Sequence, residues 1–139
     1  MKSLAQIEAF IEQTELESSA SARALELLGL GEEILEHWLV ANAIIPTLSK
    51  IEGFRLLALH RQGAKAAPSF NACRETCREL VFHYNLISLE PDHPETGKRL
   101  IHMLQVASHL YYFVTGKMQS AQLGEFCCSS RALRLEDAS

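Results

Sequence analysis

Long apolar runs are missing from this chain. No stretch among its 139 residues approaches the roughly 18–20 consecutive apolar residues that cross a bilayer. Near the start, Glu8 and Glu12 interrupt the apolar core that a secretory signal would need. A soluble, cytoplasmic protein is therefore expected. Positive charge is also scarce: 13 Lys plus Arg stand against 17 Asp plus Glu, for a formal net charge of −4. Such a chain lacks the broad positive field of nonspecific nucleic-acid binding, so nucleic acid is not an expected partner, and without a long apolar run neither is a membrane. Cysteine is limited to Cys73, Cys77, Cys127 and Cys128. Helical residues four apart are poorly placed for a disulfide, and adjacent cysteines bridge only with strain. All four read as thiols in a reducing compartment. Sustained period-two alternation is absent, which argues against a sheet. GxxxxGK[ST], GxGxxG and GxSxG are absent too, and no Ser or Cys stands in an identifiable catalytic context.

What remains is helical. The chain is the size of one domain, able to bury about two-thirds of its unfolded surface without disulfides or metal. Its 47% hydrophobic and 22% charged residues are ordinary for a globular protein. The first helix spans about 3–14, with Ser3 and Gln6 as a capping box and Leu4, Ile7, Phe10 and Ile11 facing inward. The second starts in the Ser-rich turn at 18–21 and ends at Gly29. The third runs over about 32–45, with Trp38 on its inner face, to a stop at Pro46. The fourth covers about 47–61, and residues 62–68 form a short linker. A fifth helix over about 69–90 carries a stripe of Phe70, Cys73, Cys77, Leu80, Tyr84 and Ile87. A sixth, over about 93–117, is capped by Asp92 and Glu95 and is apolar on two stripes. Residues 119–139 lack periodicity and are expected to be a mobile or loosely docked tail on a helical domain of 1–118. The expected fold is all-α: one bundle or orthogonal array of five to six helices, ending in a hairpin. Trp38, Phe54, Leu57, Leu80, Tyr84, Leu104, Leu110 and Tyr111 are the expected core.

Most residues capable of chemistry fall on that late hairpin. Glu33 and His37 are four apart, and Glu79 and His83 repeat the spacing. Residues at i and i+4 share a helix face, so each pair can offer a carboxylate and an imidazole together. The same spacing also suits hydrogen-bonded Glu–His pairs on solvated faces. His102 and His109 lie two turns apart, about 10 Å along the axis, so either can complete a metal site but not both. Ferritin-like bundles use Glu-x-x-His, spaced by three, and the HExxH of zinc proteases is missing. Cys73 and Cys77 could join His83 or Cys127–Cys128 around zinc or an iron–sulfur cluster, although the usual CxxC knuckles are lacking; as part of the apolar stripe they act as small hydrophobes. A phosphotransfer histidine at 102 or 109 lacks the Lys and Gly that normally follow it.

Two local resemblances bear on function. Arg78-Glu-Leu-Val-Phe-His83 resembles the Arg-x4-His spacing of HEPN-type helical ribonucleases. There the Arg steadies charge on the scissile phosphate while His moves protons, which implies a nuclease pair of Arg78 and His83. Glu79 stands where that family commonly has a polar residue, often Asn, and Arg55–His60 repeats the spacing. Residues 24–39 resemble a helix-turn-helix, but its second helix would offer Glu32, Glu33 and Glu36 to phosphates. The leading expectation is a non-enzymatic protein acting through protein–protein contact, regulatory or adaptor in kind, as a homo-oligomer or with another protein and with no cofactor. It rests on the doubly apolar last helix and on Tyr111, Tyr112 and Phe113, residue types enriched at interfaces. The alternatives are a bundle binding iron, zinc or haem through Glu33, His37, Glu79, His83, His102 and His109, and the HEPN-like ribonuclease.

Overall fold

A computed structural model describes residues 2–12, 19–65 and 74–120. Five helices follow one another: α1 (Leu4–Glu12), α2 (Ala20–Ala41), α3 (Arg55–Lys65), α4 (Arg74–Leu89) and α5 (Thr96–Ser120). No strand occurs among the described residues, and the helices pack on one another as an all-α array. α2 is the central element, lying against α3, α4 and α5; α4 and α5 form the expected hairpin, and α1 packs on α5 and α2. No described helix is long and apolar enough to cross a membrane.

α2 joins two expected helices into one. Its buried residues Ala24, Leu27, Leu28, Gly31, Ile34, Leu35, Trp38 and Leu39 keep helical spacing straight through Gly29 and Gly31. No turn residue separates those glycines from the next helical turn, and burial on both sides outweighs their weak propensity. Gly31 is also a packing device: a Cβ there would lie 3.0 Å from Leu80 Cδ1 and 3.3 Å from Leu56 Cδ1, so α3 and α4 approach α2 closely at this point. Within the expected Ser-rich turn, Ser19 is the residue that caps the N-terminus, accepting from the Ala22 N–H at 3.2 Å. The C-terminus arrives before Pro46. Ala43 takes φ +60°, and the Ile44 N–H donates to the Leu39 carbonyl at 2.8 Å, closing the helix in a Schellman-type turn. The Asn42 amide secures it by donating to the Trp38 carbonyl.

The segment 44–54 is an ordered loop instead of the first half of a helix. Ile51 and Phe54 exchange backbone hydrogen bonds of 3.0 and 2.9 Å across Glu52 and Gly53, both at positive φ. Gln62 grips the loop from α3, donating to the Ile45 carbonyl and accepting from the Thr47 N–H. Arg55 ties it to α2, bonding the Thr47 carbonyl, Glu36 at 2.8 Å and Glu32 at 3.5 Å. Burial raises the Glu32 carboxyl above its ordinary pKa, against the pull of Arg55. α3 continues through Lys65, which makes the first part of the expected linker helical.

At the other end, the Ser3–Gln6 capping box is present in both directions, at 2.9 and 3.2 Å. α1 buries Ile7 and Ile11, and its Phe10 ring lies 4.4 Å from the guanidinium of Arg23, a buried arginine on α2. The expected Asp92–Glu95 box is not formed. α5 begins at Thr96, the His93 ring accepts from the Glu95 N–H, and the Thr96 hydroxyl donates to the Glu90 carbonyl. Of the expected core, Trp38, Leu57, Leu80, Leu110 and Tyr111 are buried, while Phe54, Tyr84 and Leu104 pack against its edge. Phe70, Cys73, Cys127, Cys128 and the tail beyond Ser120 lie outside the described residues.

Candidate metal centre

α4 and α5 run side by side from the 90–95 turn, which sets His83 opposite His102. Their ring centroids are 4.5 Å apart. One turn back on α4, at the i−4 position, Glu79 reaches the same spot, with its Oε2 3.6 Å from His102 Nε2. One ligand atom from each of Glu79, His83 and His102 lies within 4.8 Å of the others. Four-coordinate zinc with bonds of about 2.1 Å places its ligand atoms about 3.4 Å apart. Side-chain rotation of about an ångström therefore closes the set around an ion. Glu79 and His102 are half exposed and free to make that adjustment, whereas His83 is held lower, between the helices.

The electrostatics favour a neutral imidazole at His83. Burial lowers its pKa below 6.5, with further lowering by His102 and Arg99 and an opposing pull from Glu79. Its Nδ1 is buried and makes no hydrogen bond, and neither does Nη1 of Arg99. A neutral ring with an unsatisfied nitrogen is the form of histidine that binds metal. The Phe82 ring closes one side, edge-on to His83 at 5.3 Å.

The remaining expected ligands are elsewhere. Glu33 and His37 face the start of the chain: Glu33 pairs with Lys2, whose carbonyl lies 2.6 Å from His37 Nε2. His109 stands exposed two turns beyond His102. Cys77 is fully buried in the core. Glu79, His83 and His102 form the one group of three or more potential ligands among the described residues.

Arg78 and His83 do not form a joint site. Arg78 turns toward the Glu52 turn, pairing with its carboxylate at 3.1 Å, while His83 faces α5. Five positions advance a helix by about 140°, so the two side chains leave α4 on different faces. The aromatic cluster is divided as well. Tyr111 is core, its hydroxyl 3.2 Å from the Leu4 carbonyl and 3.4 Å from Glu8; Tyr112 is exposed, and Phe113 packs at the core edge beneath Lys117. Tyr111 is thus unavailable to an outside partner.

A second constellation escaped the sequence reading. Arg61, Lys65, Arg74 and Arg78 surround a cavity between α3 and α4. Its signal was two basic pairs at i, i+4, one ending α3 and the other opening α4. No protein-family model, curated protein or solved structure matches this chain.

Proposed function

We propose that this protein binds a first-row transition-metal dication, with zinc the best fit, through Glu79, His83 and His102. The observation that carries the reading is the meeting of an i, i+4 Glu–His pair with a histidine from the facing helix, around a neutral, partly buried imidazole. Two nitrogens and one oxygen suit zinc and its neighbours over magnesium or calcium, which take oxygen ligands. Three protein ligands leave a position for water or an outside group. Because the ligands come from both arms of one hairpin, binding would clamp α4 against α5. The expected role is that of a metal-responsive helical protein.

Titration calorimetry on untagged, reduced protein tests it. One Zn²⁺ per chain is expected, with cobalt substitution giving the visible absorption of a low-coordinate nitrogen–oxygen site. His102→Ala and Glu79→Gln, both at half-exposed positions, should each weaken zinc by about 100-fold while leaving the circular dichroism unchanged. Zinc binding that persists in both variants sinks the proposal.

A protein-contact reading keeps one specific support. Phe82, Ile101 and Tyr112 are each more than half exposed, at 58%, 59% and 51%. Ile101 and Tyr112, eleven positions apart, share a face of α5, and Phe82 and Ile101 adjoin the ligands His83 and His102 in sequence. This reading makes the outer face of α5, from the rim of the metal site to Tyr112, the surface offered to a partner, and a chain that stays monomeric with zinc and captures nothing there would remove it.

A further inference from the structure

The cavity between α3, α4 and the Glu52 turn has a volume of about 480 Å³, within the range of small-molecule sites. Its cationic walls are Arg61 and Lys65 on one side and Arg74 and Arg78 on the other. Leu57, Ala64 and Ile51 supply an apolar lining, with the buried His60 beside them. A second hollow of about 450 Å³ continues from it, sharing Ile51, Arg61 and Lys65 and adding Lys50. No carboxylate belongs to the described lining of either. A chain of net charge −4 thus gathers Lys50, Arg61, Lys65, Arg74 and Arg78, five of its 13 cations, along one groove.

Clustering like charges opposes folding, so some other interaction has to offset it. The fold offers little inside the groove. Among the described residues Arg61, Lys65 and Arg74 make no ion pair, and the one pair formed there, Arg78–Glu52, is exposed on both sides. An exposed pair of this kind contributes little and yields readily to a better acceptor. Three arginine forks around one space match the oxygens of a phosphoryl group, which they can hold in bidentate fashion. The apolar lining suits a ring attached to that group.

We propose that this groove binds a small phosphorylated anion, of nucleoside-phosphate size, with its phosphoryl groups among Arg61, Lys65, Arg74 and Arg78 and its ring against Leu57 and Ile51. The groove is short, and the acidic remainder of the surface repels a long polyanion. The site stands apart from the zinc reading: Arg78 and Glu79 are neighbours in sequence but leave α4 on different faces.

The test is NMR titration with calorimetry, in EDTA so that no dication reaches the hairpin site. The probes are pyrophosphate, ATP and a twenty-residue oligothymidylate. Saturable one-to-one binding of ATP is expected, with shifts at Leu57, Ala64 and Arg74, and with pyrophosphate binding more weakly at the same place. Arg61→Gln and Arg74→Gln, at exposed positions, should each cost about tenfold in affinity, and Lys98→Gln on α5 nothing. The proposal is overturned if no probe saturates, if Lys98→Gln weakens binding as much as the groove variants, or if only the oligothymidylate binds. The last outcome would mark a nucleic-acid surface instead.

Discussion

His83 shows how one side chain couples packing to chemistry. Its folded-state pKa lies below the free value of 6.5 because burial, His102 and Arg99 all oppose its charge. In the unfolded chain the ring takes up a proton as pH falls through 6.5, while the folded ring stays neutral until its lower pKa is reached. The unfolded state thus binds more protons between those two values, and stability falls as pH drops through that window. Melting of the metal-free protein between pH 7.5 and 5 should show that loss, and His83→Gln should show a smaller one. Equal pH dependence in the two would mean that the ring titrates freely. The candidacy of Glu79 and His83 was legible as a four-residue spacing. That His102 joins them was not, because it depends on the register between two helices, which the 90–95 turn sets. Tyr111 illustrates a different case: the sequence supports both a core and an interface place for it, and its burial beside Leu4 and Glu8 decides for the core.

At the scale of the helix, α2 carries two glycines with opposite constraints. A Cβ at Gly29 would meet nothing within 4 Å, so Gly29→Ala should stabilise by about 0.5–1 kcal/mol through backbone entropy. Gly31→Ala gains the same propensity but presses on Leu80 and Leu56. Overpacking of this kind costs about 1–3 kcal/mol, which leaves the variant destabilised by up to about 2 kcal/mol. Urea denaturation of the pair decides: the reverse order would contradict the close approach at Gly31. Where α2 ends, Ala43 holds the left-handed conformation that favours glycine. Ala43→Gly should raise stability by about 1 kcal/mol, read in the same assay. Helix identity was legible from apolar spacing, and so were the cap at Ser3 and the Ser-rich turn that holds Ser19, which act within one turn. Helix ends that depend on more distant partners were not. The glycines suggested a break that core burial overrides, and Pro46 suggested a stop that the Ala43 turn had already made.

Across the molecule, the net charge of −4 conceals a division. Acids crowd α2 at Glu32, Glu33 and Glu36, partly answered by Lys2 and Arg55, while the α3–α4 groove is lined by cations alone among its charged residues. A sum over the sequence argues against nonspecific nucleic-acid binding and says nothing of a small anion; the fold separates the charges and gathers cations in one groove. The all-α class was legible because every element repeats one periodicity. The arrangement around α2 was not, since several packings would bury the same stripes.

The bond from the Tyr111 hydroxyl to the Leu4 carbonyl spans 107 positions of the chain. During synthesis at about 5–20 residues per second, α1 therefore waits roughly 5–20 s for the α5 surface that completes its docking site. Through that interval Ile7 and Ile11 have only α2 to cover them. The growing chain thus leaves the Ile7 and Ile11 face of α1 incompletely covered until α5 emerges, so the docking of α1 is among the last packing events of the described fold.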